Sequence, residues 1–257
     1  YLADPDGMAD KYLKALRKRK VGEYPNVFAT DDVKMLNADW NPGKARLGEE
    51  LPDESKKAMA KYNAAVHQTA NAVAKRAFVK YLDDVVSKNP EGKRSVLVTN
   101  GGCAAGKGST LRWSAEPTDP HYGMVPVADQ VGAIWDAAGE QNATENAWVY
   151  EECQKRGIKA TFAYVWADPK STWDAPDRGV IRRAMKKGRM VDARLFADSY
   201  ALGAKNMKAF ADSHAGKPGA EFVYIDNRNK AAPKVLDSFP DETLQWDSEK
   251  IYAEAIS

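Results

Sequence analysis

Residues 95–109 read SVLVTNGGCAAGKGS, and the fold predicted for the whole chain depends on them. The run 95–99 is rich in β-branched residues, which is typical of a buried strand, and it leads directly into a glycine turn. Gly101, Gly106 and Lys107 then stand at the spacing G-x-x-x-x-G-K, in which glycines let successive N–H groups surround a phosphate. The stretch therefore predicts a phosphate-binding loop. The residues predicted to contact a nucleotide are Gly101, Gly102, Cys103, Ala104, Ala105, Gly106, Lys107, Gly108 and Ser109.

A helix-compatible run, 109–116, follows the loop and would direct its positive N-terminal end at the phosphates. The common pattern has Ser or Thr directly after the lysine as a magnesium ligand, but here that position is Gly108. Ser109 comes one place later, as in the GKGT form of adenylate-kinase-type loops, and it is the predicted metal residue. Magnesium would then be held mainly through water and phosphate. The alternative interpretation is a glycine turn that only joins a strand to a helix.

Composition indicates one medium α/β domain, or a domain with an extension, because the chain has 257 residues, 44% of them hydrophobic. The formal charge is +2, from 38 basic and 36 acidic side chains, so neither a nucleic acid nor a membrane is expected as a partner. Two cysteines and three widely spaced histidines predict neither a disulfide framework nor a metal motif. No apolar run is long enough to span a membrane, and no signal peptide is visible. The chain begins at Tyr1 rather than Met, which is typical of a fragment.

The part of the chain before the loop carries helical patterns. Apolar residues recur at helical spacing in 6–19 and, over a much greater length, between Pro52 and Asn89. The sequence therefore predicts a helical extension, 1–92, packed on a core, 93–257.

The core alternates strand and helix patterns after the loop. Strands are predicted at 131–135, 159–167 and 221–225, and helices at 142–156 and 196–212. This alternation favours a mostly parallel sheet flanked by helices, which is an α/β fold.

Two acidic residues follow apolar runs and are candidates for a catalytic base. Asp129 follows the run 124–127, and Asp136 follows the run 131–135. Ligands of open α/β sheets bind beyond the carboxyl ends of the strands, so an acid there would face the phosphate site. A kinase needs such a carboxylate to orient a hydroxyl and accept its proton. Asp136 is preferred because its run is the cleaner strand, and the alternative for either acid is a turn or helix cap.

A basic segment lies between the third and fourth predicted strands. Residues 178–194 carry seven basic side chains and an apolar side. Phosphoryl transfer uses arginines that close over the nucleotide, so the segment is interpreted as a lid. The alternative is a solvated helix face.

Taken together, these features resemble the zeta-toxin family of P-loop kinases, in the longer variant with a helical region before the loop. The motifs keep the order and spacing of that family over nearly the whole chain. The matching stretches are Asn26–Leu36, Leu97–Lys107, Ile134–Asp136, Gly157–Pro169, Gly188–Val191 and Ile225–Asn227.

The resemblance implies a P-loop kinase fold and a toxin or effector that transfers phosphate from ATP, with Mg²⁺, to a sugar hydroxyl of a nucleotide-type small molecule. Zeta toxins act on UDP-N-acetylglucosamine, and a plant-pathogen effector similar to them acts on NAD. Lys107 would hold the phosphates, Asp136 or Asp129 would be the base, and the lid residues Arg183 and Arg189 would complete the site. It also implies an antitoxin or chaperone partner, and a location in the bacterial cytoplasm or, for an effector, in a target cell.

Other functions remain open at this level. An adenylate-kinase-like nucleotide kinase is suggested by the sequence GKGS, although about 100 residues precede the loop here. A P-loop ATPase or nucleotide-binding switch would use Asp136 as a magnesium ligand instead. A catalytically inactive binding module is disfavoured by the intact Lys107 and the basic lid.

Overall fold

The computed structural model describes residues 4–18, 26–45, 47, 52–91, 94–125, 131–137, 142–174, 179–187, 191–229 and 231–257. Its described part contains one six-stranded sheet flanked by helices. The strands are β1 (Val27–Phe28), β2 (Ser95–Asn100), β3 (Ala133–Asp136), β4 (Lys159–Trp166), β5 (Ala220–Asp226) and β6 (Lys234–Leu236). The helices are α1 (Pro5–Arg17), α2 (Thr30–Lys34), α3 (Asp53–Lys88), α4 (Lys107–Ala115), α5 (Asn142–Gln154), α6 (Pro169–Trp173), α7 (Val180–Lys187), α8 (Ala193–His214) and α9 (Ser248–Ile256).

The sheet has the order β1-β3-β2-β4-β5-β6. All neighbouring strands run parallel except β5 and β6, which are antiparallel. The predicted α/β fold with a mostly parallel sheet is therefore confirmed. Because the strands are parallel, the carboxyl ends of β2, β3, β4 and β5 all meet at one edge of the sheet.

Two hydrophobic clusters cover opposite faces of the sheet, since successive strand residues point to opposite sides. Val98 and Trp135 belong to the cluster that includes residues of α3 and α5. Leu97 and Ile134 belong to the other cluster, which includes Leu111 of α4. Any side chain two residues beyond Leu97 or Ile134 therefore lies on the same face as α4.

The N-terminal helices pack on the core through α3, which ends where Asn89 precedes a proline and adopts an extended conformation. Tyr12 of α1 fixes the residue that follows β1: its hydroxyl accepts from the Ala29 amide at 3.2 Å and donates to the Ala29 carbonyl oxygen at 3.4 Å. Phe28 is buried with its ring centroid 5.3 Å from that of Phe78. These contacts hold β1, an edge strand of the sheet, beside β3.

Several elements differ from the sequence predictions. The strand expected at 131–135 begins at Ala133 and extends to Asp136. Strands β1 and β6 were not predicted, and β1 adds a strand to the segment that was expected to be helical. Met124 and Val125 lie in a bend, and the rest of that apolar run lies outside the described residues. Within the part of the chain that the structure describes, no helix is both long and apolar enough to cross a membrane.

Candidate functional site

The glycine loop, defined here as residues 101–106, connects β2 to α4 at the carboxyl edge of the sheet. Its path needs left-handed backbone conformations, with φ of +133° at Gly101, +61° at Ala104 and +103° at Gly106. Glycine adopts such angles without steric cost, whereas Ala104 is strained there. The loop then passes into α4 with a hydrogen bond of 2.9 Å from the Thr110 amide to the Gly106 carbonyl oxygen. The predicted strand, loop and helix are therefore present in the predicted order.

Three side chains support the loop from neighbouring elements. The Asn227 amide nitrogen, just beyond β5, donates to the Ala105 carbonyl oxygen at 2.6 Å. From α8, the Tyr200 hydroxyl donates to the Cys103 carbonyl oxygen at 3.1 Å, and the Ser199 hydroxyl accepts from the Cys103 amide at 3.0 Å. Burial raises the pKa of Tyr200, so its hydroxyl keeps the proton that it donates. These bonds restrain the backbone of the loop at Cys103 and Ala105.

The loop presents amide groups that are available to an anion. Among the described residues, the amides of Ala104, Gly106, Lys107 and Gly108 have no hydrogen-bond partner. The last two belong to the first turn of α4, where amides have no acceptor within the helix and the helix dipole is positive. The partly buried Lys107 side chain donates from its ammonium to the Gly101 carbonyl oxygen at 3.2 Å, so its charge lies over the loop. This combination can bind phosphate.

The two hydroxyls after Gly108 differ in their availability to a metal ion. Thr110 as a whole residue is 2% exposed, and its hydroxyl donates to the Gly106 carbonyl oxygen at 3.1 Å. Ser109 is partly exposed, and its hydroxyl has no partner in the described part of the chain. Ser109 is thus the hydroxyl that could ligate Mg²⁺. The described residues contain no cluster of three or more His, Cys, Asp or Glu side chains that could hold a metal.

Asp136, the preferred base candidate, ends β3 beside the strand that carries the loop. Thr99 and Asp136 are paired in register between β2 and β3, and the Asp136 side chain is exposed. Its Oδ1 accepts a hydrogen bond of 2.8 Å from the Thr99 hydroxyl. Because Asp136 follows Ile134 by two residues, it lies on the same face of the sheet as α4. The other candidate, Asp129, lies outside the described residues.

A cavity of about 420 Å³ opens on the other side of the loop, after β5. The Arg228 guanidinium lies 3.8 Å from the ring centroid of Trp166, the last residue of β4. It also bonds the Asp226 carboxylate at 2.8 Å, and this hydrogen bond lowers the pKa of Asp226. The residues that line the cavity are Asp226, Arg228, Asn229, Ala232 and Lys234.

The basic lid segment is only partly described. Of its two predicted catalytic arginines, Arg189 lies outside the described residues, and the side chain of Arg183 in α7 is not described. Arg194, at the end of the segment, bonds Glu249 of α9 at 2.9 Å. Helix α7 leaves Ile181 and Met185 exposed at 45% and 73%. The lid role therefore stays a prediction for Arg183 and Arg189.

The sequence did not indicate which side chains form hydrogen bonds with the loop and with Asp136. Thr99 was interpreted only as part of a strand, and Tyr200 and Ser199 only as part of a helix pattern. Asn227 had a usable signal, since it directly follows a predicted strand whose end must lie near the loop. Tyr200 and Ser199 had none, because nothing local indicates that α8 passes beneath Cys103.

No protein-family model matches the chain, and a search of the curated proteins gives no significant match.

Proposed function

We propose that this chain is an ATP-dependent phosphotransferase of the zeta-toxin kind, a P-loop kinase that phosphorylates a sugar hydroxyl of a nucleotide-type small molecule such as a UDP-sugar or NAD. The single observation that carries the proposal is the position of Asp136. It lies at the end of the strand next to β2, on the face of the sheet shared with α4. A phosphate cradle beside an exposed carboxylate is the arrangement that a small-molecule kinase needs.

The residues of the loop fit the phosphates of ATP. The unpartnered amides of Ala104, Gly106, Lys107 and Gly108 supply donors, and the Lys107 ammonium supplies a positive charge. Ser109 is the residue that would hold Mg²⁺, which, when bound, neutralises charge between neighbouring phosphates.

The order of the strands favours one direction for the bound nucleotide. Asp136 lies on the β3 side of the loop, whereas the cavity at Asp226 and Arg228 lies on the β5 side. Adjacent strands are about 4.8 Å apart, so β2 and β5 are separated by roughly 10 Å, a span comparable with a triphosphate. In the proposal, the γ-phosphate therefore points toward Asp136 and the nucleoside toward the cavity.

The proposed reaction is a direct transfer. Asp136 accepts the proton of the sugar hydroxyl, and the hydroxyl oxygen bonds the γ-phosphorus. The bond from the γ-phosphorus to the bridging oxygen breaks, and its electron pair leaves with ADP. Arg183 and Arg189 are proposed to stabilise the charge on the transferred group. An antitoxin or chaperone partner, and a location in the bacterial cytoplasm or a target cell, belong to the same proposal.

Incubation of the chain with ATP labelled at the γ-phosphate and a panel of UDP-sugars, NAD and nucleosides tests the proposal. We expect label on one panel member, and the mass and position of that phosphate identify the acceptor. Release of labelled inorganic phosphate alone would instead indicate an ATPase. Failure both to bind ATP and to turn it over would leave a binding module.

Two variants and a matched control locate the chemistry. Lys107→Ala should abolish transfer, because it removes the charge over the loop, whereas Lys217→Ala removes an exposed lysine before β5, at the opposite edge of the sheet. Asp136→Asn should lower the rate by orders of magnitude while ATP binding persists. Full activity in Asp136→Asn together with loss in Asp129→Asn would assign the base to Asp129.

A further inference from the structure

Thr99 and Asp136 form a pair that joins the strand before the loop to the strand that carries the acid. The Thr99 hydroxyl donates to Asp136 Oδ1 at 2.8 Å. The backbones of the two strands are joined at the same level, because the Ala137 amide donates to the Thr99 carbonyl oxygen at 3.0 Å. Thr99 is only 2% exposed, whereas Asp136 is exposed. A buried donor therefore holds one oxygen of an accessible carboxylate.

The chemistry of threonine suits this contact. A threonine hydroxyl has one proton to donate, and in this structure it goes to the carboxylate. The branched Cβ restricts the χ1 angle, so the donor has few other directions available. With Oδ1 held by Thr99, the other carboxylate oxygen, Oδ2, is left for a further partner.

We propose that Thr99 is a positioning residue for Asp136, one that turns the carboxylate so that Oδ2 receives the proton of the acceptor hydroxyl. This inference rests on the proposed function, because it assumes that Asp136 is the base. The sugar O–H bond breaks as the new O–P bond forms, the proton goes to Oδ2, and the electron pair of the broken P–O bond leaves with ADP. Thr99 touches neither substrate and acts only through Asp136.

Thr99→Val removes the hydroxyl and keeps the branched shape of the side chain. The carboxylate then rotates more freely, and a small misplacement of a catalytic group has a large kinetic cost. We expect kcat to fall by about tenfold to hundredfold, with the KM for ATP nearly unchanged. Thr99→Ser keeps the donor and should restore most of the activity.

The test is a double-mutant cycle with Thr99→Val, Asp136→Asn and the combined variant, measured on the full chain. The rate is that of label transfer from γ-labelled ATP to the panel compound accepted by the wild type. Thermal unfolding midpoints of all variants separate a loss of fold from a loss of positioning. Because Thr99 acts through Asp136, Thr99→Val should add nothing to the defect of Asp136→Asn.

The outcomes separate the two proposals. A tenfold or greater loss in Thr99→Val, rescue in Thr99→Ser and no added loss in the combined variant would support the positioning role. If the wild type transfers phosphate but Thr99→Val is unimpaired, or its defect multiplies that of Asp136→Asn, the role of Thr99 is wrong and the proposed function stands. If the wild type releases labelled phosphate but labels no compound of the panel, the proposed function is overturned, and the role of Thr99, which rests on it, is overturned as well.

Discussion

Gly101→Ala should strongly destabilise the fold, because the structure leaves no space for a side chain at that position. A Cβ built on Gly101 would lie 2.3 Å from the Val165 carbonyl oxygen, where ordinary van der Waals contact begins at 3.4 Å. That carbonyl belongs to β4, which is paired with β2 on one side and β5 on the other, so it cannot easily move. The clash should cost about 1–3 kcal/mol.

The backbone conformation adds a second penalty at the same residue. Gly101 has φ of +133°, a region that residues with a Cβ rarely adopt, and the strain is about 1–3 kcal/mol. Together the two effects predict a loss of about 2–6 kcal/mol, a large part of the roughly 5–15 kcal/mol by which domains are stable. Urea-induced unfolding, followed by tryptophan fluorescence, measures this loss as a fall in the midpoint at an unchanged slope.

Gly108→Ala is the matched control in the same segment. A Cβ at Gly108 meets nothing within 4 Å, and the residue lies in the first turn of α4. Alanine favours helix over glycine by up to about 1 kcal/mol, so this variant should equal or exceed the wild type in stability. A Gly101→Ala protein that unfolds at the wild-type urea concentration, or a Gly108→Ala protein as unstable as Gly101→Ala, would refute the reasoning.

Three further predictions concern other parts of the molecule. Burial lowers the pKa of Lys34 to about 8 despite the Asp31 carboxylate 2.9 Å away, whereas in the unfolded chain this pKa has its ordinary value of 10.5. Between these two pH values the unfolded state binds a proton that the folded state lacks, so the free energy of unfolding should rise with pH by up to about 3 kcal/mol. Urea titrations at about pH 7 and about pH 10 should show this rise in the wild type and not in Lys34→Met. Tyr12→Phe should lower the free energy of unfolding by about 1–2 kcal/mol, since the Tyr12 hydroxyl bonds both backbone groups of Ala29. Arg76→Ala, which removes the exposed Arg76–Asp6 pair, should cost less, and equal losses in the two melting curves would contradict this ranking. Asn227→Asp replaces the amide donor 2.6 Å from the Ala105 carbonyl oxygen by a carboxylate oxygen, and the two oxygens repel each other. The affinity for ATP, measured by calorimetry, should therefore fall at least tenfold, and wild-type affinity would show that the loop does not depend on this bond.

Local patterns were sufficient for the centre of the fold. The run that ends in Gly101 and the spacing to Lys107 are set by neighbours in sequence, and the strand, loop and helix follow them. The preference for Asp136 came from the apolar run before it, and that run overlaps β3 at residues 133–135. These features depend on turn chemistry and on periodicity, which a single sequence displays.

Features that depend on pairing between distant segments could not be predicted. Strand β1 has two residues and exists because it pairs with β3, and β6 likewise exists because it pairs with β5. The contact between Thr99 and Asp136 requires the register of two strands, which no local pattern supplies. The support of Ala105 by Asn227 joins residues 122 positions apart. Sequence therefore predicts where the loop and the acid are, while their supporting residues follow from the topology.

The placement of β1 has a consequence for synthesis of the chain on the ribosome. Val27 pairs with Ile134, so the edge of the sheet cannot close until roughly 100 further residues have been made. At about 5–20 residues per second this takes on the order of 5–20 seconds. During that time Phe28 lacks the strand beside which it is finally buried, although α1 and α3 can already pack on it. The nascent N-terminal segment must therefore wait, partly folded and with apolar surface uncovered, for the strand that carries Asp136 to emerge.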